Sequence, residues 1–596
     1  MKSFLVIAAV LVLVVIAWLL TSRNNRVVAD TGKMIAWFKE NALAYEERTT
    51  TLAQKISLVD ADSMSVKEAR EALLECRLQY KRIALFIEFY FPEQAMILNG
   101  PPVAEIESGM NEYRDPAGMQ VIEACLFEDH PSKFKSKMLE QVGVIQRSIE
   151  NLLPAIRDFK MSADDAWYAI SLELIRVYTL YITGYDAPEL KSGILEAASS
   201  LDAIDSVLLL LHAPSSINNT VHKAKSFLQA HEYFDSFDRL YFITTFAMPL
   251  QKELNSRVEK QPESFNARSS VNFAATSLFA SNGIDKNHFP ASEVVGDSVL
   301  VALGRRLFSE PMLSGNNERS CSTCHAPSTF FSDRLGRNKN RELTGDLPRN
   351  TPSLLYAVYQ FNQFWDGRVR SLPEQAIAVM NDTVEMKGPG QAITEKIDND
   401  KTYKALFSRI WKQDTVVTEE HIAAAVAAYI RTLTPFRSSF DRYITGDKSA
   451  LSQEQKRGFN IFMGKAMCGT CHFAPLFNGL LPPLYNITEF EILGTPVDDN
   501  LGNPRPDTDT GQARVIVGMP QGAFKTPTVR NAEETSPYMH NGGFKSLDSV
   551  IEFYNKGGGE GLGLQVPGQT LSSKPLNLDS IEKADLLDFM RSLTDN

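Results

Sequence analysis

The chain is poor in cysteine and carries no excess of positive charge. Its 596 residues include six cysteines, and 61 Lys and Arg stand against 72 Asp and Glu, which gives a formal net charge of −11. So few cysteines exclude a disulfide scaffold, and the acidic balance argues against a nucleic-acid partner. A mean hydropathy of −0.18 excludes a protein with many membrane spans. The remaining composition is typical of a globular chain of several domains.

Long apolar runs are equally scarce, and residues 4–20 form the one that stands out. This run is uncharged, with Lys2 before it and Arg23 and Arg26 after it. Its 17 residues reach the lower limit for a bilayer-spanning helix, and they also resemble the apolar part of a signal peptide. Within residues 1–25 we favour an uncleaved anchor, with a cleaved signal as the alternative, over a buried core helix. Both export the chain, so we expect a periplasmic protein tethered to the inner membrane or released from it.

Residues 28–265 show the periodicity of helices. In residues 65–91, apolar side chains recur at spacings of three and four, which is typical of an amphipathic helix. The same pattern predicts helices over residues 134–161, 163–183, 190–212 and 221–257. We predict an all-helical domain here, followed by a linker over residues 260–290, which is polar at its start and rich in turn residues at its end.

The six cysteines are unevenly placed, and four of them fall in two copies of the pattern C-x-x-C-H. This pattern is the attachment signature of c-type haem: two thiols bind the two vinyl groups of one porphyrin, and the adjacent histidine ligates the iron. A redox-active C-x-x-C and half of a zinc site are the alternatives, but the repeated pattern favours two covalently bound haem c groups. The residues are Cys321, Cys324 and His325 in the first copy and Cys468, Cys471 and His472 in the second.

The segments around these motifs resemble the bacterial di-haem cytochrome c peroxidases and their relatives of the MauG type. The likeness covers about residues 295–596 and rests on LGRRLFSEPMLSGNNERSCSTCH (303–325), RNTPSLLYA (349–357), FWDGRVRSLPEQA (364–376), VEM (384–386) and FKTPTVRNAEETSPYMHNGGFKSLDSVIEFY (524–554). It implies a mainly α fold in which the helical-bundle domain precedes two cytochrome c-like haem domains. The N-terminal haem domain, residues 291–436, would be peroxidatic, and the C-terminal one, residues 437–596, would transfer electrons.

The resemblance also implies roles for individual residues. His325 and His472 match the proximal ligands of the two haem irons. Trp365 matches the tryptophan that lies between the haems. Gln375 and Glu385 match the distal pair of the peroxidatic pocket, with Glu385 as the general acid and base in O–O cleavage.

A calcium site between the two haem domains is implied as well. Its ligands would be the side-chain oxygen of Asn350 and the backbone carbonyls of Thr535 and Pro537, which are the hard oxygen donors that Ca²⁺ prefers. His540 lies in the same PYMH block. A structural and a functional role for this histidine stay equally open.

The first departure from many family members lies in the loop after the first motif. Those members carry there a histidine that blocks the peroxidatic iron until the other haem is reduced. Residues 326–364 contain neither His nor Met, and the matching position is Arg341. The N-terminal haem is therefore expected to be five-coordinate and open without reductive activation, with His288 as the remaining candidate ligand.

The second departure concerns the other axial ligand of the C-terminal haem. Many members use a methionine 14 residues after the histidine of the PY-x-H block, and here that position is Tyr554, as in the MauG type. A phenolate is a hard anionic ligand that favours ferric iron, so we expect a low reduction potential. The alternative is that Tyr554 points elsewhere on its helix.

The sequence of the helical domain contains fewer indications of function. Residues 118–127 loosely resemble the imelysin-like domains, whose signature is G-x-H-x-x-E, but Gln120 stands in the histidine position, which puts a metal-binding role in doubt. Cys76 and Cys125 lie in this domain, as a disulfide or as two buried thiols. A docking or partner-binding role is the favoured interpretation.

The functional hypothesis is an exported di-haem c-type peroxidase that reduces hydrogen peroxide with electrons from a periplasmic donor, such as a small cytochrome. The first alternative is a MauG-like oxidase that modifies a protein substrate. The second is a di-haem electron-transfer protein without catalysis. The expected cofactors are two haem c groups and Ca²⁺.

Overall fold

The computed structural model describes residues 29–60, 62–103, 105–106, 113–258, 269–291, 298–386, 390–412 and 416–596. The predicted export segment, within residues 1–25, lies outside the described residues. Among the described residues, no helix is both long and apolar enough to cross a membrane.

The described residues of the first half lie almost entirely in helices. Strands Glu105–Ile106 and Tyr113–Arg114 pair antiparallel. The α-helices are Thr31–Ser57, Ser63–Tyr90, Pro92–Asn99, Met119–Leu126, Lys135–Arg157, Ala163–Thr179, Gly193–Leu210, Ser215–Ala230, Arg239–Phe242 and Met248–Val258. The 3₁₀ turns are Pro131–Phe134 and Tyr181–Thr183, and Ile243–Ala247 is a π turn.

The apolar stripe read from the sequence forms the core of this half. Helix Ser63–Tyr90 buries Leu73, Cys76 and Tyr80 and packs against helices Thr31–Ser57 and Gly193–Leu210. Cys76 and Cys125 are free and buried, so the pair of thiols, rather than the disulfide, is what the structure contains.

One helix prediction is wrong. The segment 221–257 is not a single helix, because the chain leaves helical geometry after Ala230 and resumes it at Arg239. The intervening residues fold inward, and Phe234 and Phe237 are buried. Asp238 then starts the next helix by accepting a hydrogen bond from the Tyr241 amide at 3.0 Å.

The segment predicted as a linker is packed onto the molecule from residue 269 onwards, and we call residues 269–291 the strap. Phe279 and Phe289 of the strap are buried. The Ser270 amide donates to the Leu484 carbonyl at 2.8 Å. At its other end, Arg431 Nη2 donates to the Lys286 carbonyl at 2.5 Å. The strap therefore contacts both predicted haem domains, residues 437–596 at Leu484 and residues 291–436 at Arg431.

The second half contains shorter helices and much irregular chain. Strands Phe490–Ile492 and Ala523–Lys525 pair antiparallel. The α-helices are Ser298–Phe308, Cys321–Cys324, Leu372–Asn381, Gly390–Asn399, Lys401–Ile410, Glu419–Ile430, Ser439–Ile444, Gln453–Phe462, Leu547–Asn555, Gly558–Gly561 and Ser580–Ser592. The 3₁₀ turns are Lys286–His288, Pro311–Leu313, Pro327–Thr329, Cys468–Thr470, Gln512–Arg514 and Ala532–Glu534. The mainly α fold is confirmed.

The same helix pair occurs twice in this half. Helix Ser298–Phe308 packs on Glu419–Ile430, and helix Gln453–Phe462 packs on Ser580–Ser592. A glycine allows the close approach in each pair. A Cβ at Gly304 would lie 1.8 Å from the Ala425 carbonyl oxygen, and one at Gly458 would lie 1.9 Å from that of Asp585. This repetition agrees with two haem domains of one architecture, whose predicted boundaries stay predictions.

Candidate haem sites

The first C-x-x-C-H motif begins with a single helical turn, Cys321–Cys324, that is capped by Ser320. His325 leaves this turn, and its Nδ1 lies 2.9 Å from the Phe331 carbonyl oxygen. A carbonyl only accepts, so Nδ1 carries the hydrogen and the Nε2 lone pair is left for a metal. Burial lowers the pKa of His325, which keeps the imidazole in the neutral, ligating form.

A cavity of about 690 Å³ surrounds this motif. Its lining brings together residues that are far apart in the sequence. Apolar side chains such as Phe308 and Val379 form part of the wall. Of the residues predicted from the sequence, the lining contains Cys321, Cys324, His325, Asn350, Trp365, Gln375 and Glu385.

Gln375 and Glu385 enter the cavity from one helix and the turn behind it. Gln375 belongs to helix Leu372–Asn381. Asp382 ends that helix, and its Oδ1 accepts from the Val384 amide at 2.8 Å and the Glu385 amide at 3.3 Å. Burial, and then the charge of Asp382, raise the pKa of Glu385 to about 7, against the opposing effect of two nearby arginines. This carboxyl can therefore both hold and release a proton near neutral pH.

The second motif has the same local design. Met467, with φ of 54°, leads into the turn Cys468–Thr470. His472 Nδ1 lies 3.0 Å from the Pro527 carbonyl oxygen and 3.3 Å from that of Phe477, so its Nε2 is again left for a metal. Burial lowers the pKa of His472 to about 4.

Relatives of known class match this half of the chain. A family model described as di-haem cytochrome c peroxidase matches residues 298–449. MauG of Methylorubrum extorquens is 33% identical over 295 residues, which cover 49% of this chain and 77% of that protein. The cytochrome-c peroxidase IdrP1 of a Pseudomonas species is 33% identical over 315 residues, covering 49% and 80%. The chain belongs to the di-haem cytochrome c peroxidase and MauG family.

A solved MauG-like protein associated with microbial copper homeostasis is also similar, with 27% identity, a TM-score of 0.43 and coverage of 51% of this chain and 91% of that one. Members of the family are oxidoreductases that use peroxide as acceptor, and they carry covalently bound haem c. The residues fit this cofactor, because each motif presents two free thiols beside a histidine whose Nδ1 is already engaged.

The first departure from many di-haem peroxidases lies at the rim of the first cavity. The Arg341 amide donates to the Val384 carbonyl at 2.8 Å, which holds this loop beside Glu385. A guanidinium has no lone pair for iron. His288 packs edge-on against Phe361, with ring centroids 6.3 Å apart. In the described lining of the cavity, His325 is the only histidine.

The second departure lies in helix Leu547–Asn555, which carries Tyr554. Burial, followed by the charges of Cys471, Cys468 and Glu491, raises the pKa of the Tyr554 phenol above its ordinary value. Tyr554 is therefore close enough to the second motif for charges there to act on the phenol.

Trp365 is fixed between the two haem-binding parts of this peroxidase-family chain. Its indole Nε1 donates to the Asn350 carbonyl at 2.9 Å. Its own carbonyl accepts from the Lys525 amide, also at 2.9 Å. The Lys525 ammonium is buried against Gln360 and donates to the Asn362 carbonyl at 3.1 Å, and burial lowers its pKa to about 7.

Sequence reasoning missed the arginines of the first cavity. Arg319 Nη2 donates to the Asn340 carbonyl at 2.8 Å, and Arg368 Nη1 donates to Asp366 Oδ1 at 3.0 Å. Both arginines line the cavity and are suited to carboxylates such as haem propionates. Arg368 lies within the FWDGR block, so its motif position was the signal that could have found it.

The predicted calcium ligands lie in neighbouring segments. The Asn350 amide donates to the His540 carbonyl at 2.8 Å, and Asn350 Nδ2 donates to the Leu335 carbonyl at 2.9 Å. His540 stacks on Phe524, with centroids 3.7 Å apart, and its Nε2 lies 3.2 Å from Asp507 Oδ2. These contacts fix the position of the imidazole ring. Within the described ranges, no group of three or more His, Cys, Asp or Glu could hold a metal, and the calcium site stays a prediction.

Proposed function

We propose that this member of the family is a periplasmic peroxidase that reduces hydrogen peroxide in the cavity of His325, with electrons delivered through the site of His472. The observation that carries this proposal is the pairing of Glu385 and Gln375 in a cavity whose described lining offers no second histidine. A protein that only transfers electrons needs neither an accessible cavity nor a proton-exchanging group within it.

The haem supplies, when bound beside His325, the iron at which peroxide is reduced. Glu385 then acts as the base and acid of O–O cleavage: its carboxylate takes the proton from one peroxide oxygen and returns it to the other, which leaves as water. The pKa of Glu385, raised to about 7, suits both halves of this transfer. The Gln375 amide orients the peroxide through a hydrogen bond.

Other residues hold the site in place. Arg319 and Arg368 carry positive charge at the cavity wall and favour the anionic groups of a bound porphyrin. The apolar wall, which includes Leu313 and Met380, keeps water away from the reacting groups. Trp365 connects the two haem sites, and Asn350, Thr535 and Pro537 provide the oxygen ligands of a calcium ion near the same junction.

The electron donor is proposed to be a small cytochrome or another periplasmic redox protein. The membrane tether is proposed from residues 4–20 alone.

A MauG-like oxidase that modifies a protein substrate is the second candidate. The position of Tyr554 beside Cys468 and Cys471 favours it. A phenolate ligand stabilises oxidised iron and disfavours ferrous iron, so such a site accepts electrons poorly from a high-potential cytochrome. Two of the similar proteins are methylamine utilization proteins MauG, of Methylorubrum extorquens and Paracoccus denitrificans.

Two measurements test the proposal on the purified holoprotein. EPR of the ferric protein should show one high-spin and one low-spin haem, and two low-spin signals in the protein as isolated would contradict the open cavity. Peroxide consumption is then measured with reduced small cytochromes, alongside mass spectrometry of co-purifying proteins for oxidised side chains. Turnover with a cytochrome supports the peroxidase, and peroxide-dependent oxidation of one specific protein supports the oxidase.

A further inference from the structure

The helical domain contacts the second haem motif directly, through the turn that follows residues Tyr181–Thr183. A Cβ on Gly184 would lie 3.2 Å from the Met467 Cε. The ring of Tyr185 makes an edge-to-face contact with Phe473, with centroids 5.7 Å apart. Met467 directly precedes Cys468, and Phe473 directly follows His472. The docked turn therefore lies against both ends of the C-x-x-C-H motif.

Tyr185 has a proton acceptor on the haem side of this contact. Its hydroxyl donates to Glu489 Oε1 at 3.0 Å. Glu489 belongs to the same part of the chain as the second motif. One hydrogen bond thus links the phenol of the helical domain to the part that carries the second motif.

This arrangement has the chemistry of a redox-active tyrosine. A phenol that loses an electron becomes a strong acid, so its oxidation is favourable where a base already accepts its hydrogen bond. The aromatic contact places the phenol against Phe473, which directly follows the iron-ligating His472 in the sequence.

Nearby Tyr181 is less suited to this role. Its hydroxyl also donates to a carboxylate, Glu173 Oε1, at 3.0 Å. However, the Lys81 ammonium lies 3.5 Å from the centre of the Tyr181 ring. A positive charge over the ring opposes the loss of an electron. We therefore expect an oxidising equivalent that enters the helical domain to reside on Tyr185.

We propose that Tyr185 is a redox-active residue through which the second haem site exchanges electrons with the helical domain. This inference rests on the proposed function, since peroxide is the final electron acceptor. The phenol gives one electron to the oxidised second site while its O–H bond breaks and the proton moves to Glu489 Oε1. A one-electron reductant docked on the helical domain then restores the phenol, and the proton returns from Glu489.

The test uses the holoprotein and begins with peroxide consumption by the wild type. Samples frozen shortly after peroxide addition are examined by EPR for a tyrosyl radical. Parallel samples are treated with a nitroso spin trap, and the adducts are mapped by mass spectrometry. The variants are Tyr185→Phe and Glu489→Gln, with Tyr233→Phe as the control, because Tyr233 is 77% exposed in the same domain.

The expected result is a tyrosyl signal and an adduct on Tyr185 in the wild type, loss of both in Tyr185→Phe, a weaker signal in Glu489→Gln, and no change in the control. A wild type that consumes no peroxide overturns the proposed function together with this inference. Peroxide consumption without an adduct on Tyr185, or with the same tyrosyl signal in Tyr185→Phe, overturns the inference alone. The adduct map of the wild type decides the question even where a variant fails to fold.

Discussion

In both haem-binding parts, the histidine of the C-x-x-C-H motif is oriented by a carbonyl a few residues further along the chain, that of Phe331 for His325 and that of Phe477 for His472. In both, a helix glycine allows one helix to approach the backbone of another. The parts differ in what else surrounds the motif. The first has a cavity with Glu385 and Gln375, whereas the second has the phenol of Tyr554. The comparison teaches that the two parts share the features that hold the cofactor, namely the oriented histidine and the close helix pair. The side chains that differ between the parts then determine the chemistry of each site.

The largest effect is expected from removing the proton-exchanging carboxyl of Glu385 in the first haem-binding part. Glu385→Gln keeps the size of the side chain and removes proton transfer, so peroxide turnover should fall by about 100-fold. Glu395→Gln, at an exposed residue of the next helix, is the matched control and should turn over peroxide at the wild-type rate. Unchanged turnover in Glu385→Gln would instead support the hypothesis that the protein only transfers electrons.

A second substitution replaces Tyr554 of the second haem-binding part by the methionine that many relatives have at this position. Tyr554→Met should raise the reduction potential of the C-terminal haem by about a tenth of a volt or more, within the ~0.8 V range that axial ligands span. A spectroelectrochemical titration measures this shift. An unchanged potential would mean that Tyr554 points away from the iron.

The close packing of the two equivalent helix pairs can be tested at Gly304 and Gly458. Gly304→Ala and Gly458→Ala each place a methyl group against a backbone carbonyl, at 1.8 and 1.9 Å before any relaxation. We expect each to lower the free energy of unfolding by about 1–3 kcal/mol, the usual cost of overpacking. Denaturant unfolding measures this loss. A neutral result at one glycine would show that the two helix pairs are not equally close-packed.

The smallest predicted effect is a pH dependence confined to the first part. Because the carboxylate form of Glu385 must take the first proton, kcat/KM for peroxide should rise as pH increases through about 7. A group with this pKa is ~tenfold more ionised at pH 8 than at pH 6. Glu385→Gln should lack this rise, and a rise that persists in the variant would assign it to another group.

The sequence predicts best where one short pattern suffices. The two C-x-x-C-H motifs and the apolar stripe of helix Ser63–Tyr90 depend on local spacing alone, and the structure contains both as expected. The positions of Glu385 and Tyr554 came from resemblance to a family. Their surroundings, including Asp382 and Glu491, depend on how distant segments meet.

Periodicity was misleading where tertiary burial controls the chain. Residues 221–257 have a helical pattern, yet the helix is interrupted over residues 231–238, where Phe234 and Phe237 turn into the core. The strap contains turn residues, yet Phe279 and Phe289 fix it to the core. Arg319 was not recognised as a cavity residue because local sequence does not reveal which surface a loop arginine reaches.

The strap also limits how this protein can be divided or recombined. It donates a backbone N–H to the Leu484 carbonyl of one haem-binding part, and its Lys286 carbonyl accepts from the Arg431 side chain of the other. A shortened protein that begins after residue 291 would expose the apolar surface that Phe279 and Phe289 now cover. Exchange of the helical domain between relatives therefore requires that the strap stay with the haem half.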